Sequence, residues 1–259
     1  MTIRPGETLT IDGMHLEPDI SVWWRRTGAL PPLATLSVDE NRLRAEESDA
    51  LLLGGLLALT DRWVDDPFVV MAAEHSLKQL AAADRVGVRI PPTIATNMPE
   101  AARTFAATTP GGVIAKATSA GVGIAPHADV ADPEMFDFLP TCLTLLQHAQ
   151  TATEDLRVVV VGDRVTTWAR SRRDGEPLDW RAADPRGSAF ARRHVEEIVA
   201  PATAINDQLG LRFSVQDWLA VDGDLIFLEV NPSGQWLFLR DADMIVADAL
   251  ADLLLCGWS

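Results

Sequence analysis

Residues 211–239 read LRFSVQDWLAVDGDLIFLEVNPSGQWLFL, and this stretch decides the fold. Apolar and β-branched residues flank Asp222-Gly223, a dipeptide that turns easily, so two antiparallel strands joined there are predicted. Asp217 lies in the first strand, and Glu229 and Asn231 lie two apart in the second, so the latter two side chains leave one face. Oxygens in apolar strands are costly unless something pairs with them, and hard oxygen ligands suit Mg²⁺. Register decides whether all three meet. A two-residue loop at Asp222-Gly223 pairs Asp217 with Leu228 and sends Glu229 to the opposite face. A three-residue bulged loop over 221–223, with Gly223 at positive φ, puts Asp217 and Glu229 together. The bulged loop is the expectation.

Outward from this hairpin, the chain of 259 residues is long enough for one large domain or two modest ones, and 47% hydrophobic residues argue against global disorder. The net charge of −15 leaves no excess of Lys and Arg to neutralise phosphates, so no nucleic-acid partner is expected. Cys142 and Cys256 stand far apart in apolar surroundings and read as reduced core residues. The longest apolar runs fall short of a membrane span, and the start MTIRPGETL carries no signal-like apolar region. A cytoplasmic protein without a membrane partner is expected.

Helices are predicted over 41–60, 68–86, 189–209 and 241–255, with a further helix capped by Asn97 and Glu100 behind Pro99. Strands are predicted at 8–11, 20–24, 93–96 and 112–116, and a hairpin joins 156–161 to 165–169 across Gly162-Asp163. Residues 135–147 read as a connector, and 171–188, charged and containing Gly and Pro, as a mobile loop.

Several residues in this frame can carry chemistry. Lys116 ends a strand just before a small-residue loop, so its ammonium and backbone N–H groups of 119–123 can approach one anion. A lysine snorkelling at the surface is the ordinary alternative. Arg157 opens one strand of the second hairpin and Arg170 closes the other, at the same edge, so both guanidinium groups can clamp a phosphoryl group or a carboxylate. Pairing with Asp155 and Glu154 is the plainer alternative. His75, His127 and His148 share no metal spacing, so neither a zinc site nor a histidine triad is expected. Among eight Trp, Trp23, Trp24, Trp180 and Trp236 can form a peptide-binding or stacking surface, or simply core.

Taken together these residues resemble an ATP-grasp ligase, and within that superfamily the graspetide (microviridin-type) maturases of ribosomal peptides. The resemblance runs from about residue 21 to the C-terminus. It rests on SVWWRR at 21–26, VGVRIPPTIATNMPEAA at 86–102, DLRVVVVGDRV at 155–165, DWR at 179–181 and FLEVNPSGQWLFL at 227–239. It implies an α/β (α+β) ATP-grasp fold that holds a nucleotide between two β-sheet lobes. It also implies ATP and Mg²⁺ as cofactors and a precursor peptide with a leader sequence as partner. Residue by residue, Asp217, Glu229 and Asn231 match the metal ligands. Lys116 matches the nucleotide-binding lysine, with Ser119 and Gly121 in the loop behind it. Arg157, with Arg170 beside it, matches the arginine near the γ-phosphate. Gln147 falls where backbone meets adenine. The implied chemistry activates an Asp or Glu side chain of the peptide as an acyl phosphate, which a Ser, Thr or Lys side chain then attacks to close an ester or amide macrocycle.

The sequence departs from that pattern in three places. Ser76 stands where many relatives have a lysine, eleven residues before Gly87, and Lys78 points about 200° away around the helix. His148 follows Gln147 where an acidic residue is common, so the ribose contact is either lost or moved to Glu154. The N-terminal lobe reads as truncated, which a mis-set start, a partner protein that completes it or decay would each explain; the apolar faces leave a homodimer open. Expected divisions are a remnant lobe at 1–66, a central subdomain at 67–150 and a C-terminal subdomain with the metal site at 151–259. Two other functions stay open: a ligase joining a small carboxylate to an amine, and a degenerate protein that binds a leader peptide or partner enzyme without catalysis.

Overall fold

The computed structural model describes residues 2–3, 9–25, 30–108, 111–116 and 133–257. They belong to two units, Met1–Pro67 with Ala251–Ser259, and Phe68–Leu250. In the first, β1 (Thr2–Ile3), β2 (Leu9–Ile11) and β3 (Met14–Leu16) form an antiparallel sheet. β4 (Val22–Trp23) pairs in parallel with β5 (Trp63–Val64), and helix α1 (Val38–Leu59) connects them. The helix begins where Ser37 and Glu40 exchange hydrogen bonds as a capping box. Its Leu56 and Leu59 pack with Leu9 and Trp63 into the core of this unit.

The second unit opens with two helices, α2 (Pro67–Ala73) and α3 (Ser76–Arg85), where sequence periodicity predicts one. The break has a cause. His75 is extended, and Gln79 donates to the freed Ala73 carbonyl at 2.7 Å, satisfying a helix-end group that would otherwise be buried without a partner. β6 (Thr93–Thr96), helix α4 (Pro99–Ala107), β7 (Val113–Lys116), a 3₁₀ segment (Pro133–Thr141) and β8 (Thr144–His148) follow. The strands form an antiparallel sheet in the order β6-β8-β7. Ala102, Val113, Phe136, Leu139 and Leu146 are its core. Asn97 does not cap α4. Pro99 takes the first helical position, which makes Met98 the cap, and Thr96 Oγ1 accepts the Met98 N–H instead.

The larger sheet is built from β9 (Glu154–Val161), β10 (Arg164–Ser171), β11 (Ala191–Arg192), β12 (Phe213–Val221) and β13 (Asp224–Asn231). Its order is β11-β10-β9-β12-β13, antiparallel throughout. Short helix α5 (Trp180–Ala183) lies between β10 and β11, α6 (Glu196–Leu209) precedes β12, and α7 (Ala242–Cys256) closes the described chain. One face of the sheet packs on α3 and α6. There Gln216 donates to the Ala202 carbonyl and to Asn206, Ser214 donates to Asn206, and Trp218 donates to Gln216.

Three further expectations change. Residues 189–195 carry β11 rather than a helical turn. Cys142 and Cys256 are exposed, since one follows the 3₁₀ segment and the other ends α7. The 171–188 stretch is tied down by side chains, as the site shows. The fully buried Trp218 ring packs edge-on against Phe227 with centroids 5.4 Å apart. Trp218→Ala should therefore lower unfolding stability by about 3–5 kcal/mol, read from the denaturant midpoint.

Candidate functional site

The turn at Asp222-Gly223 is the tight two-residue kind, with both residues at positive φ and Val221 paired with Asp224. The extra residue sits elsewhere. Pairing runs regularly to Trp218 with Phe227 and then slips, so that Asp217 faces Glu229 and Val215 faces Asn231. Leu228 is the inserted residue of a β-bulge inside the strand. The expected juxtaposition of Asp217, Glu229 and Asn231 therefore holds, while the bulged loop expected to produce it is corrected to a mid-strand bulge. As a bulge requires, the consecutive residues Leu228 and Glu229 both line one cleft.

That cleft holds about 370 Å³. Its walls come from Ile114, Ala115 and Lys116 of β7, Gln147 and His148 of β8, and Asp155, Asp217 and Glu229 of the larger sheet. Leu178, Asp179, Trp180, Arg181 and Phe190 add a further wall, and Ser76 at the start of α3 also faces in. Lys116 Nζ stands 3.6 Å from Glu229 Oε2, so a cation of one sheet meets a carboxylate of the other. Asn231 Nδ2 donates to Glu229 Oε1 at 3.3 Å.

Arg157 lies directly across from Asp217 in the ladder and donates to its Oδ1 at 2.6 Å and to the Gln235 carbonyl at 2.9 Å. Arg170 does not join it. Its guanidinium is buried between Asp155, at 2.9 Å, and Glu176, at 2.5 Å, so the plainer pairing reading applies to Arg170. Glu154 is absent from the cleft lining and takes both Nη groups of Arg193, at 2.7 and 2.8 Å. Gln147 is inside β8, paired with Thr93 and Ile114, so the open connector is 149–153. Ser119 and Gly121 lie outside the described residues.

Sequence reasoning missed a third cation. Arg181 stacks on Trp180 at 4.9 Å, bonds Asp179 at 3.1 Å and lies 3.9 Å from Asp217 Oδ2. Burial disfavours its charge, yet the carboxylates of Asp217, Asp179 and Glu229 outweigh burial and raise the guanidinium's pKa. The DWR motif was the available signal, but nothing in it shows that the segment returns to the hairpin.

Two local devices hold the carboxylates in place. Val230, between Glu229 and Asn231, lies on the outer edge of β13, and the buried Gln79 side chain clamps it. Gln79 Nε2 donates to the Val230 carbonyl at 2.7 Å and its Oε1 accepts the Val230 N–H at 3.0 Å. The edge is thus satisfied by a side chain rather than another strand. Beyond Asn231 the chain folds back at Gly234, where an added Cβ would come within 2.6 Å of Val215 and 2.9 Å of Asn231.

The donor set fits magnesium. It comprises two carboxylates and an amide oxygen on one face, which suits a cation completed by phosphates and water. Among the described residues no group of three or more His, Cys, Asp or Glu side chains forms a metal site. A thiol- or imidazole-rich metal site is thus not found among them.

No known family model matches the sequence, and no curated protein matches it. Solved structures do match. The macrocyclase MdnC from Microcystis aeruginosa MRC, solved with precursor peptide MdnA, gives a TM-score of 0.80 at 21% identity, over 96% of this chain and 82% of its own. A RiPP-associated ATP-grasp ligase from Chryseobacterium gregarium, solved with ADP and a leader and core peptide, gives 0.82 at 23%, over 96% and 83%. This chain has the ATP-grasp fold. The macrocyclase MdnB from Microcystis aeruginosa MRC extends the likeness, with a TM-score of 0.73 at 26% identity over 96% and 82%.

Removing either device has a measurable cost. Gln79→Ala strands two buried backbone groups of Val230 and should cost about 1–3 kcal/mol for each. Gly234→Ala should cost about 1–3 kcal/mol by overpacking. Thermal unfolding checks both.

Proposed function

We propose that the chain is an ATP-dependent ligase that cross-links a ribosomally made precursor peptide. It would activate Asp or Glu side chains and join them to Ser, Thr or Lys side chains of the same peptide as esters or amides. The observation that carries this reading is the meeting of Lys116 with Glu229 across the cleft, with Asp217, Arg157 and Arg181 beside it. Peptide as the substrate is supported by the likeness to macrocyclases solved with precursor peptides. The fold alone does not choose the acceptor.

In the proposed reaction a peptide carboxylate oxygen attacks the terminal phosphorus of ATP and ADP leaves. The hydroxyl or amine then attacks the acyl carbon, gives up its proton, and phosphate departs. Both steps build negative charge, so fixed cations accelerate them most where water is excluded. Lys116 would neutralise that charge from β7, and Arg157 from β9. Both now neutralise carboxylates, so binding an anion exchanges one partner for another rather than exposing a bare charge. Oxygens of Asp217, Glu229 and Asn231 would hold magnesium, which neutralises the transferred phosphoryl group when bound. The backbone of 147–153 would receive the adenine.

Ser76 faces the cleft, and it stands where the sequence resemblance implies a lysine, so nucleotide binding is tested separately from chemistry. Excess Mg-ATP should raise Tm, by about 2.7 kcal/mol of linkage at roughly a hundred times Kd. No helix among the described residues is long and apolar enough to cross a membrane. The need for ATP and the two free cysteines favour the cytoplasm as the place of action.

The decisive experiment takes a short peptide rich in Ser/Thr and Asp/Glu near its C-terminus, sought among the open reading frames beside the gene. Incubated with Mg-ATP and the protein, it should lose one water per linkage by mass spectrometry. Glu229→Gln should cut this turnover by about 100-fold or more while the fold stays intact. Peptide that binds tightly but keeps its mass would point to the non-catalytic alternative, and equal turnover in the variant would remove the metal assignment.

A further inference from the structure

Between β10 and α5 the chain has no regular structure from 172 to 179, yet it supplies a wall of the cleft. What fixes this segment is a buried ionic staple. Arg172 follows β10, and its guanidinium forks onto Asp155 of β9, with Nε on Oδ2 at 3.0 Å and Nη2 on Oδ1 at 2.5 Å. Its remaining reach goes to backbone. Nη2 donates to the Leu178 carbonyl at 2.7 Å and Nη1 to the Pro177 carbonyl at 3.3 Å. Arg170 provides a second arm, bonding Asp155 on one side and Glu176 on the other.

The next residue, Asp179, caps α5 by accepting the Arg181 N–H at 2.9 Å. Trp180 then packs edge-on against Phe190, centroids 5.0 Å apart, and Arg181 lies on the outer face of Trp180 toward Asp217. The position of Arg181 therefore follows from where Leu178 is held. Burial pushes the Asp155 carboxyl above its usual range against the pull of Arg172 and Arg170. A buried ion network of this kind is a poor source of stability compared with apolar packing, which leaves geometry as the reason for it.

We infer that Arg172 is a positioning residue, which holds segment 178–181 so that Arg181 stands beside Asp217 in the cleft. For its catalytic readout this rests on the ligase reading above. Lysine cannot replace it, because a point charge cannot hold both carboxylate oxygens of Asp155 and two carbonyls at once.

The test compares Arg172→Lys, Arg181→Lys and the double variant in the full chain. Hydrogen exchange followed by mass spectrometry should show amides of 176–183 exchanging about tenfold faster in Arg172→Lys, with β9 and β12 unchanged. With the Ser/Thr- and Asp/Glu-rich peptide, turnover by Arg172→Lys should fall about 10- to 100-fold, in step with Arg181→Lys. The double variant should be no worse than Arg181→Lys, because the two act through one contact. Unchanged exchange, or losses that multiply in the double variant, overturns the inference. Should Arg172→Lys fail to fold, Arg172→Gln, which keeps an amide donor for the Leu178 carbonyl but loses the fork onto Asp155, must still loosen 176–183; no loosening there overturns it too. If the unaltered protein forms no linkage, the ligase reading fails by itself, and the exchange arm alone decides the role of Arg172.

Discussion

One inserted residue, Leu228, sets the chemistry of this molecule. Without its bulge, the tight turn at Asp222-Gly223 would carry a regular ladder along the whole hairpin. Glu229 and Asn231 would then point, like Phe227, into the helix layer, where α3 and α6 leave no room for solvated charge, while Val230 would turn toward the cleft. The bulge turns the second half of β13 over, so its oxygens share a face with Asp217 and Arg157. A bulge also costs ladder bonds. The molecule offsets that loss at the outer edge, where the Arg89 carbonyl takes the Phe227 N–H at 2.9 Å and Gln79 takes both groups of Val230.

The charged face this creates is balanced pair by pair. Asp217 is held by Arg157 and approached by Arg181, Glu229 by Lys116 and Asn231, and Asp155 by Arg170 and Arg172. Carboxylates packed this closely would repel one another if left alone, and desolvation would penalise each charge further. Interleaved cations offset the repulsion, although at Asp155 burial still outweighs its two arginines, and they leave a cleft whose charges are already organised before anything enters. Pre-set charges need no reorganisation during a reaction, which is the condition for strong electrostatic catalysis.

Much of this was legible in residues 211–239. Alternation of apolar and polar residues located both strands, and Asp222-Gly223 located the turn. The Glu229–Asn231 spacing put two oxygens on one face. Arg157 lies on β9 as the second hairpin predicts, and the register with β12 sets it across from Asp217. Other features were not legible. Arg170 and Arg157 look equivalent in sequence, and only the register of β9 with β10 shows one committed to Asp155 and Glu176. The 171–188 stretch reads as mobile because it lacks apolar periodicity, yet its order comes from Arg172 and Arg170, residues that periodicity ignores. The two cysteines look buried from their neighbours, but end positions on the 3₁₀ segment and α7 leave both exposed.

The sequence by itself determined which local segments would be strands, which dipeptide would turn, and which residue types were chemically able to bind metal and phosphate. These depend on neighbours along the chain, through backbone preference and alternation. The tertiary structure alone decided that the extra residue falls at Leu228 and not in the turn. It also decided that Gln79, 151 residues away, braces the ligand strand, and that Arg181 reaches Asp217. A bulge is settled by the balance between a strained ladder and the burial of whole side-chain faces, and partners so distant in sequence enter that balance only once the chain is packed.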